Sequence, residues 1–211
     1  MTTADSSLIN HPLPKFIEAI LVKLEKELAS LRYHNLQHTR SVINDAITLA
    51  KDDSCCARDL ELILVAAAFH DAGYLVSPTE HEQAGARFAE EAMRAENCFT
   101  SEEIALVVQS IKDTKLVVVG GETVQVANTR LSPYLLDADM AHFGRVDFRE
   151  KSELLRLEFG TVLALKWWDE TFKLVDDHLW KTWPAYQKWE KQKKVNLRGL
   201  REAVCLCIGG V

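Results

Sequence analysis

Residues 61–74 read ELILVAAAFHDAGY. The unbroken apolar run Leu62–Phe69 is what a helix buried on all sides looks like in sequence. It then delivers an imidazole and a carboxylate, His70 and Asp71, straight out of the core. Burying those two groups is costly unless something binds them. The rest of the chain has to supply a reason for their position.

Working outward, the flanking segments are helical almost throughout. Leu13, Ile17, Ile20, Leu24, Leu28 and Leu31 recur at helical spacing after Pro12 and Pro14. A second helix is expected from about Asn35 to Lys51, and the apolar third from Ala57 to Phe69, with Gly73 placed to stop it. A fourth follows Ser77 and Pro78 and carries Phe88, Ala89, Ala92 and Met93 on one side. Thr100 and Glu103 form a capping-box pattern ahead of Ile104, Val107, Val108 and Ile111. The exception is KLVVVGGETVQVA, residues 115–127, whose β-branched runs around Gly120 and Gly121 predict a short hairpin or a long loop. Helical patterning resumes near Pro133 and continues past the stretch from Trp167 to Trp189. The expected fold is all-α, one domain over residues 1–211.

The 211 residues suffice for one well-cored domain, and 47% apolar with 27% charged content is that of a globular chain. No apolar run approaches the about 18 residues needed to span a bilayer. The amino-terminal stretch lacks a basic segment followed by an apolar one, so no secretory signal is expected. The spacing of Cys55, Cys56, Cys98, Cys205 and Cys207 suggests reduced, buried thiols and a cytoplasmic location rather than a disulfide framework. A formal charge of −6 argues against non-specific nucleic-acid binding. The basic cluster of Lys188, Lys191, Lys193 and Lys194 reads as a solvated helix face, and the tryptophans at 167, 168, 180, 183 and 189 as packing residues.

Two further elements bear on His70 and Asp71. His34 and His38 lie four residues apart in LRYHNLQHTRSV and would share a face if both were helical. LLDADMAHFG supplies Asp137 and Asp139 beside apolar residues. Histidines and carboxylates gathered from separate helices make a mixed nitrogen and oxygen site for a divalent metal. A cation would neutralise the charge that the core helix delivers.

The order His38, then His70-Asp71, then an Asp in a DAD sequence resembles the H…HD…D signature of the HD-domain metal-dependent phosphohydrolases. The resemblance runs from about Arg32 to Gly144 through RYHNLQHT, FHDAGY, HEQAGARFAEEAM and LLDADMAHFG. It is similar also to stand-alone predicted bacterial HD phosphohydrolases in SELLRLEF and in Asn196-Leu197. It implies a single HD-type helical bundle with a motif core at about 32–144, the hairpin insertion near 115–127, and a helical extension over 148–205. Carried over residue by residue, His38, His70, Asp71 and Asp139 match the metal ligands. Asp139 is preferred to Asp137 because the family's ligand follows an alanine. Asp137 stays open between an acid that orients a ligand and a helix cap.

The implied activity is hydrolysis of a small phosphorylated metabolite or nucleotide, using manganese, iron, magnesium, cobalt or zinc. Asp71 would orient or deprotonate a water, and Arg32 would grip a phosphate oxygen. The leaving alcohol would take a proton from His34 or from solvent, with His34 alternatively holding a ligand in place. Arg32 has a surface ion pair as its alternative, and His81 either faces the site beside Glu82 or merely begins a helix. His11, His142 and His178 have no expected role. HD nucleotidases for deoxynucleoside monophosphates carry an acid three residues after the HD pair, where this chain has Tyr74, so neither that base nor that preference is carried over. Only His81 is available as an extra ligand, which points to one metal rather than two. The competing readings are a non-catalytic metal-binding sensor and an iron-dependent oxygenase. No nucleic-acid or membrane partner is indicated, and the oligomeric state is left open.

Overall fold

The computed structural model describes residues 13–161 and 163–208, with side chains to residue 202. His11 and Pro12 lie outside the described residues, as do the side chains of Cys205 and Cys207. α1 (Lys15–Glu27) buries Ile17, Ile20, Leu21 and Leu24, the stripe that the periodicity predicts. α2 (Leu36–Asp52) is capped by Asn35, whose side-chain oxygen accepts from Gln37 N at 2.9 Å and His38 N at 3.3 Å. That cap leaves His34 in the turn before the helix, so His34 and His38 do not share a helical face.

α3 (Ala57–Phe69) is the centre of the molecule. Leu62, Ile63, Val65, Ala66, Ala67 and Ala68 are fully buried, and α1, α2, α4 (His81–Glu96), α5 (Ser101–Lys112) and α6 (Ser132–Asp139) all pack on this helix. Three successive alanines let those neighbours come close at interior packing density. Gly73 does not stop α3 by a left-handed turn, contrary to expectation. It sits in a 3-10 turn, Ala72–Leu75, where a Cβ would lie 1.9 Å from the carbonyl oxygen of His81. Its missing side chain is what allows the start of α4 to press against the residues that follow α3.

α5 begins with the expected capping box, Thr100 accepting from Glu103 N while the Glu103 side chain accepts from Thr100 N. The segment after α5 forms a hairpin, β1 (Val117–Val119) and β2 (Glu122–Val124), antiparallel with Val118 opposite Thr123. Gly120 and Gly121 have φ of +62° and +93°, the positive values that a two-residue turn of this hand requires.

Beyond α6 come a 3-10 turn, Met140–Gly144, then α7 (Phe148–Glu158), α8 (Ala164–Asp177) and α9 (Trp183–Ile208). They close over two smaller apolar clusters, one of Met140, Phe143, Phe148, Val175 and Leu200, the other of Leu49, Ala141, Ala185 and Trp189. Trp168, Trp180 and Trp189 pack there, but Trp183 is 65% exposed. The lysine cluster is not a uniform solvated face: Lys193 is 6% exposed and donates to the carbonyl of His178, and Lys188 pairs with Asp45 at 3.3 Å. The thiols also depart from expectation, since Cys56 and Cys98 are exposed and Cys55 half-buried, all three free. The fold is all-α apart from the hairpin, and no helix among the described residues is long and apolar enough to cross a membrane.

Candidate metal centre

Where α3 ends, its last turn directs His70 and Asp71 toward the amino-terminal turn of α2, which supplies His38. Metal-ligating atoms of these three residues all lie within 4.8 Å of one another. His70 Nε2 is 3.1 Å from Asp71 Oδ2, and His38 Nε2 is 3.3 Å from the same oxygen. Asp139, last residue of α6, brings its Oδ1 to 3.4 Å from His38 Nε2 and 3.8 Å from His70 Nε2. The four expected ligands therefore meet at one place, from α2, α6 and the two residues that follow α3.

Their hydrogen bonds decide which atoms are free for a cation. His70 Nδ1 lies 2.8 Å from the carbonyl oxygen of Ala67. A carbonyl only accepts, so Nδ1 carries the proton and the neutral ring keeps a bare lone pair on Nε2. That nitrogen faces Asp71 Oδ2, which is buried without a hydrogen-bond partner. Leaving a buried acceptor unsatisfied costs about 1–3 kcal/mol. Two imidazole nitrogens and a carboxylate oxygen turned toward one point fit a divalent cation. The electrostatics agree. Burial opposes charge on every member, but the hydrogen bonds and charges of Asp139 and Asp71 outweigh it and raise His38 to about 9. Burial likewise works against the Asp71 anion, and His70, His34 and His38 nevertheless hold that carboxyl well below the usual range. Positive charge at this spot is strongly favoured.

Around the cluster lies a cavity of about 330 Å³. Asp71, Asp139, His34, His81, Tyr74 and Glu82 line it, and Lys115 and Gln125 reach it from the hairpin segment. Gln125 Nε2 donates to Asp139 Oδ2 at 3.0 Å and to the Thr114 carbonyl at 2.7 Å, so the insertion orients a ligand as well as shaping the cavity. His34 Nδ1 is 2.5 Å from Glu158 Oε1, and Glu158 Oε2 accepts from Tyr33 N at 2.6 Å and His34 N at 3.3 Å. The other ring nitrogen, Nε2, points to Tyr74 Oη at 3.3 Å. Burial disfavours the Glu158 anion, but the hydrogen bonds from His34 and Tyr33 lower its carboxyl below the usual range.

Other expected residues fall as follows. Arg32 is exposed and does not line the cavity. His81 both begins α4 and faces the site: its Nδ1 donates to the Pro78 carbonyl at 3.0 Å and its Nε2 is 3.7 Å from Asp71 Oδ1. Asp137 turns away from the cluster. Its two oxygens accept from Lys181 N, Thr182 N and Thr182 Oγ1 at 2.7–2.8 Å, which anchors the start of α9. It is not itself a cap: it braces Thr182, whose Oγ1 accepts from Ala185 N at 3.3 Å in the first turn of α9. Burial raises Asp137 to about 6 despite those three bonds. His142 was given no role, yet it lines the cavity and its Nδ1 lies 3.1 Å from Tyr33 Oη. Sequence reasoning also missed Glu158 and Gln125. The one available signal for Glu158 was its place in SELLRLEF.

An all-α bundle whose central helix ends in a buried histidine–aspartate cluster defines a candidate metalloprotein. The HD-domain family model matches residues 35–115, the span that contains His38, His70 and Asp71. Among solved structures the chain is similar to a predicted HD superfamily hydrolase from an uncultured Thermotogales bacterium. The match has a TM-score of 0.56 and 19% identity, over 90% of this chain and 93% of the other. That likeness is one of fold. No curated protein matches the chain.

Proposed function

We propose that the protein is a metal-dependent phosphohydrolase acting on a small phosphorylated substrate. The observation that carries the reading is the convergence of His38, His70 and the unpartnered Asp71 Oδ2 beside a cavity of about 330 Å³. His38, His70, Asp71 and Asp139 would hold the cation. Two imidazoles in that set favour manganese, iron, cobalt or zinc over magnesium. When bound, such an ion supplies an acidified water and positive charge against a phosphoryl oxygen.

The chain's own groups account for the remaining chemistry. Asp71 presents Oδ1 toward the cavity side, where it can hold the proton of an attacking water. His34, fixed by Glu158, offers Nε2 to the leaving alcohol and delivers a proton there. Tyr74 stacks on the His34 ring at 4.3 Å and keeps its plane aligned with the cavity. Lys115 is the ammonium among the described lining residues and would draw in the anionic substrate, a role that the notion of an arginine clamp assigned to Arg32.

The test is phosphate release from a panel of phosphomonoesters and diesters, with manganese or magnesium, by wild type and Asp71→Asn. Release that needs the metal and vanishes in the variant is expected. A metal-loaded wild type inert across the panel would sink the reading and favour a sensor or an oxygenase.

A further inference from the structure

If His34 serves the leaving alcohol, the organic part of the substrate begins beside its ring. From there a line of apolar side chains leads away from the metal centre. Phe159 comes first, its ring centroid 5.9 Å from that of His34. Trp167 follows, 6.1 Å from Phe159. Leu163 stands one helical turn before Trp167, whose backbone N–H donates to the Leu163 carbonyl at 3.1 Å. Phe159 and Trp167 line the cavity, and Leu163 carries the line beyond that lining.

This track is open to a ligand. Phe159 is 54% and Leu163 68% exposed, and near them in the chain Leu157 and Leu165 are 43% and 57% exposed. Four exposed apolar side chains between residues 157 and 165 form a cluster, unlike the single apolar residues found on any surface. Further along α8 the exposed positions include Lys166, Asp169, Glu170 and Lys173, so the apolar surface is concentrated where α7 ends and α8 begins. Leaving it in water is unfavourable, and hydrocarbon laid over it relieves that.

The chemistry of the track selects the occupant. Phenyl and isobutyl groups cannot replace the water on a sugar's hydroxyls. A single flat ring on Phe159 would leave Leu163 bare, whereas an extended chain reaches both. An anionic lipid surface would meet the exposed acids Asp169 and Glu170 on the same helix, which favours a free molecule.

We propose that the track holds the hydrocarbon chain of the substrate, a phosphate ester of a linear aliphatic alcohol. The inference rests on the phosphohydrolase reading for the position of the phosphate. The track itself belongs to the α7–α8 connection, outside residues 35–115 of the HD match. Chain-length selectivity is thus a property of the carboxyl-terminal helices.

The probes are butyl-, hexyl- and octylphosphonate, which share one headgroup and cannot be hydrolysed. Titration calorimetry on the manganese-loaded full chain gives their affinities for wild type, Leu163→Ser and the Phe159→Ser, Leu163→Ser double variant. A fully buried methylene tightens binding about fourfold. On this partly open track about threefold per methylene is expected, so octylphosphonate should bind about 80-fold more tightly than butylphosphonate. Leu163→Ser should cut that ratio to about 30-fold or less, and the double variant to below about 10-fold. Affinity independent of chain length, a ratio that survives the double substitution, or no binding of any probe would overturn the track. A flat series together with a dimer that Leu163→Ser dissociates in sedimentation assigns the patch to a second copy of the chain instead. Hydrolysis of butyl and octyl phosphate is followed in parallel. A rising phosphonate series without hydrolysis of either ester overturns the phosphohydrolase reading and leaves the track standing. Hydrolysis of both esters at equal kcat/KM with a flat series overturns the track alone.

Discussion

His34 Nδ1 and Glu158 Oε1 lie 2.5 Å apart although 124 residues separate them in the chain. Glu158 is the last residue of α7, and His34 is in the turn that precedes α2. The pair turns a histidine on a connecting segment into a fixed imidazole with its second nitrogen at the cavity.

Glu158→Gln keeps the side chain's shape and one acceptor but removes the charge. If the carboxylate positions a proton donor, kcat should fall by about 10²-fold for alkyl phosphates. The loss should be far smaller for nitrophenyl phosphate, whose leaving group needs no proton, and bound metal should stay constant. A purely structural role would lower both substrates equally. Steady-state kinetics with metal analysis separates the two.

Asp71→Asn and His70→Ala each remove a donor from the cluster. Metal content after desalting should drop to background in both, and added manganese should no longer raise the melting temperature as it does for wild type. Binding should also weaken as pH falls, because protons compete for the same nitrogen and oxygen lone pairs. Elemental analysis and thermal unfolding, with and without chelator, check this.

His142 supplies a pH prediction of its own. Burial is the main cause that lowers it to about 3, from an ordinary 6.5. Between those values the unfolded chain binds the proton and the folded chain does not, so stability is lost as pH drops below about 6.5. At pH 5 the loss from this one group is about 2 kcal/mol relative to neutral pH. Urea unfolding of wild type and His142→Asn in chelator should show a shallower acid dependence in the variant. Taking the difference removes the opposite contribution of Asp137, whose raised pKa favours the folded state as pH falls through about 6.

Gly73→Ala tests the contact that seats α4. The added Cβ would meet the His81 carbonyl oxygen at 1.9 Å, and that oxygen belongs to backbone that cannot swing away. A loss of about 2–3 kcal/mol in chemical denaturation is expected. An Ala variant as stable as wild type would show that α4 can shift at no cost.

How much of this was readable in advance follows the range of each interaction. α3, the capping box at Thr100 and the Gly-Gly hairpin depend on neighbours within a few residues, and each appears where the pattern placed it. His70 and Asp71 were conspicuous because an apolar helix contradicts them locally. Glu158 had no such contrast, being one acid on an amphipathic helix rich in charge. Its importance exists only once α7 has folded back onto residues 33 and 34. Gly73 was misread for a related reason: a glycine beside a helix end suggests a turn, whereas the close approach of His81 is invisible in one dimension. Asp137 was read as an acid near the site or a local cap, and its partners lie 44 and 45 residues away.

Asp137 and Asp139 occupy one short helix, α6, and serve different masters: the first grips the start of α9, the second reaches the histidines. Whatever draws Asp139 toward a cation also steadies the platform on which α9 is moored. Such coupling is reciprocal by thermodynamic necessity. If a cation on Asp139 stiffens α6, then α9, which is held through Asp137, should resist limited proteolysis better with manganese than with chelator.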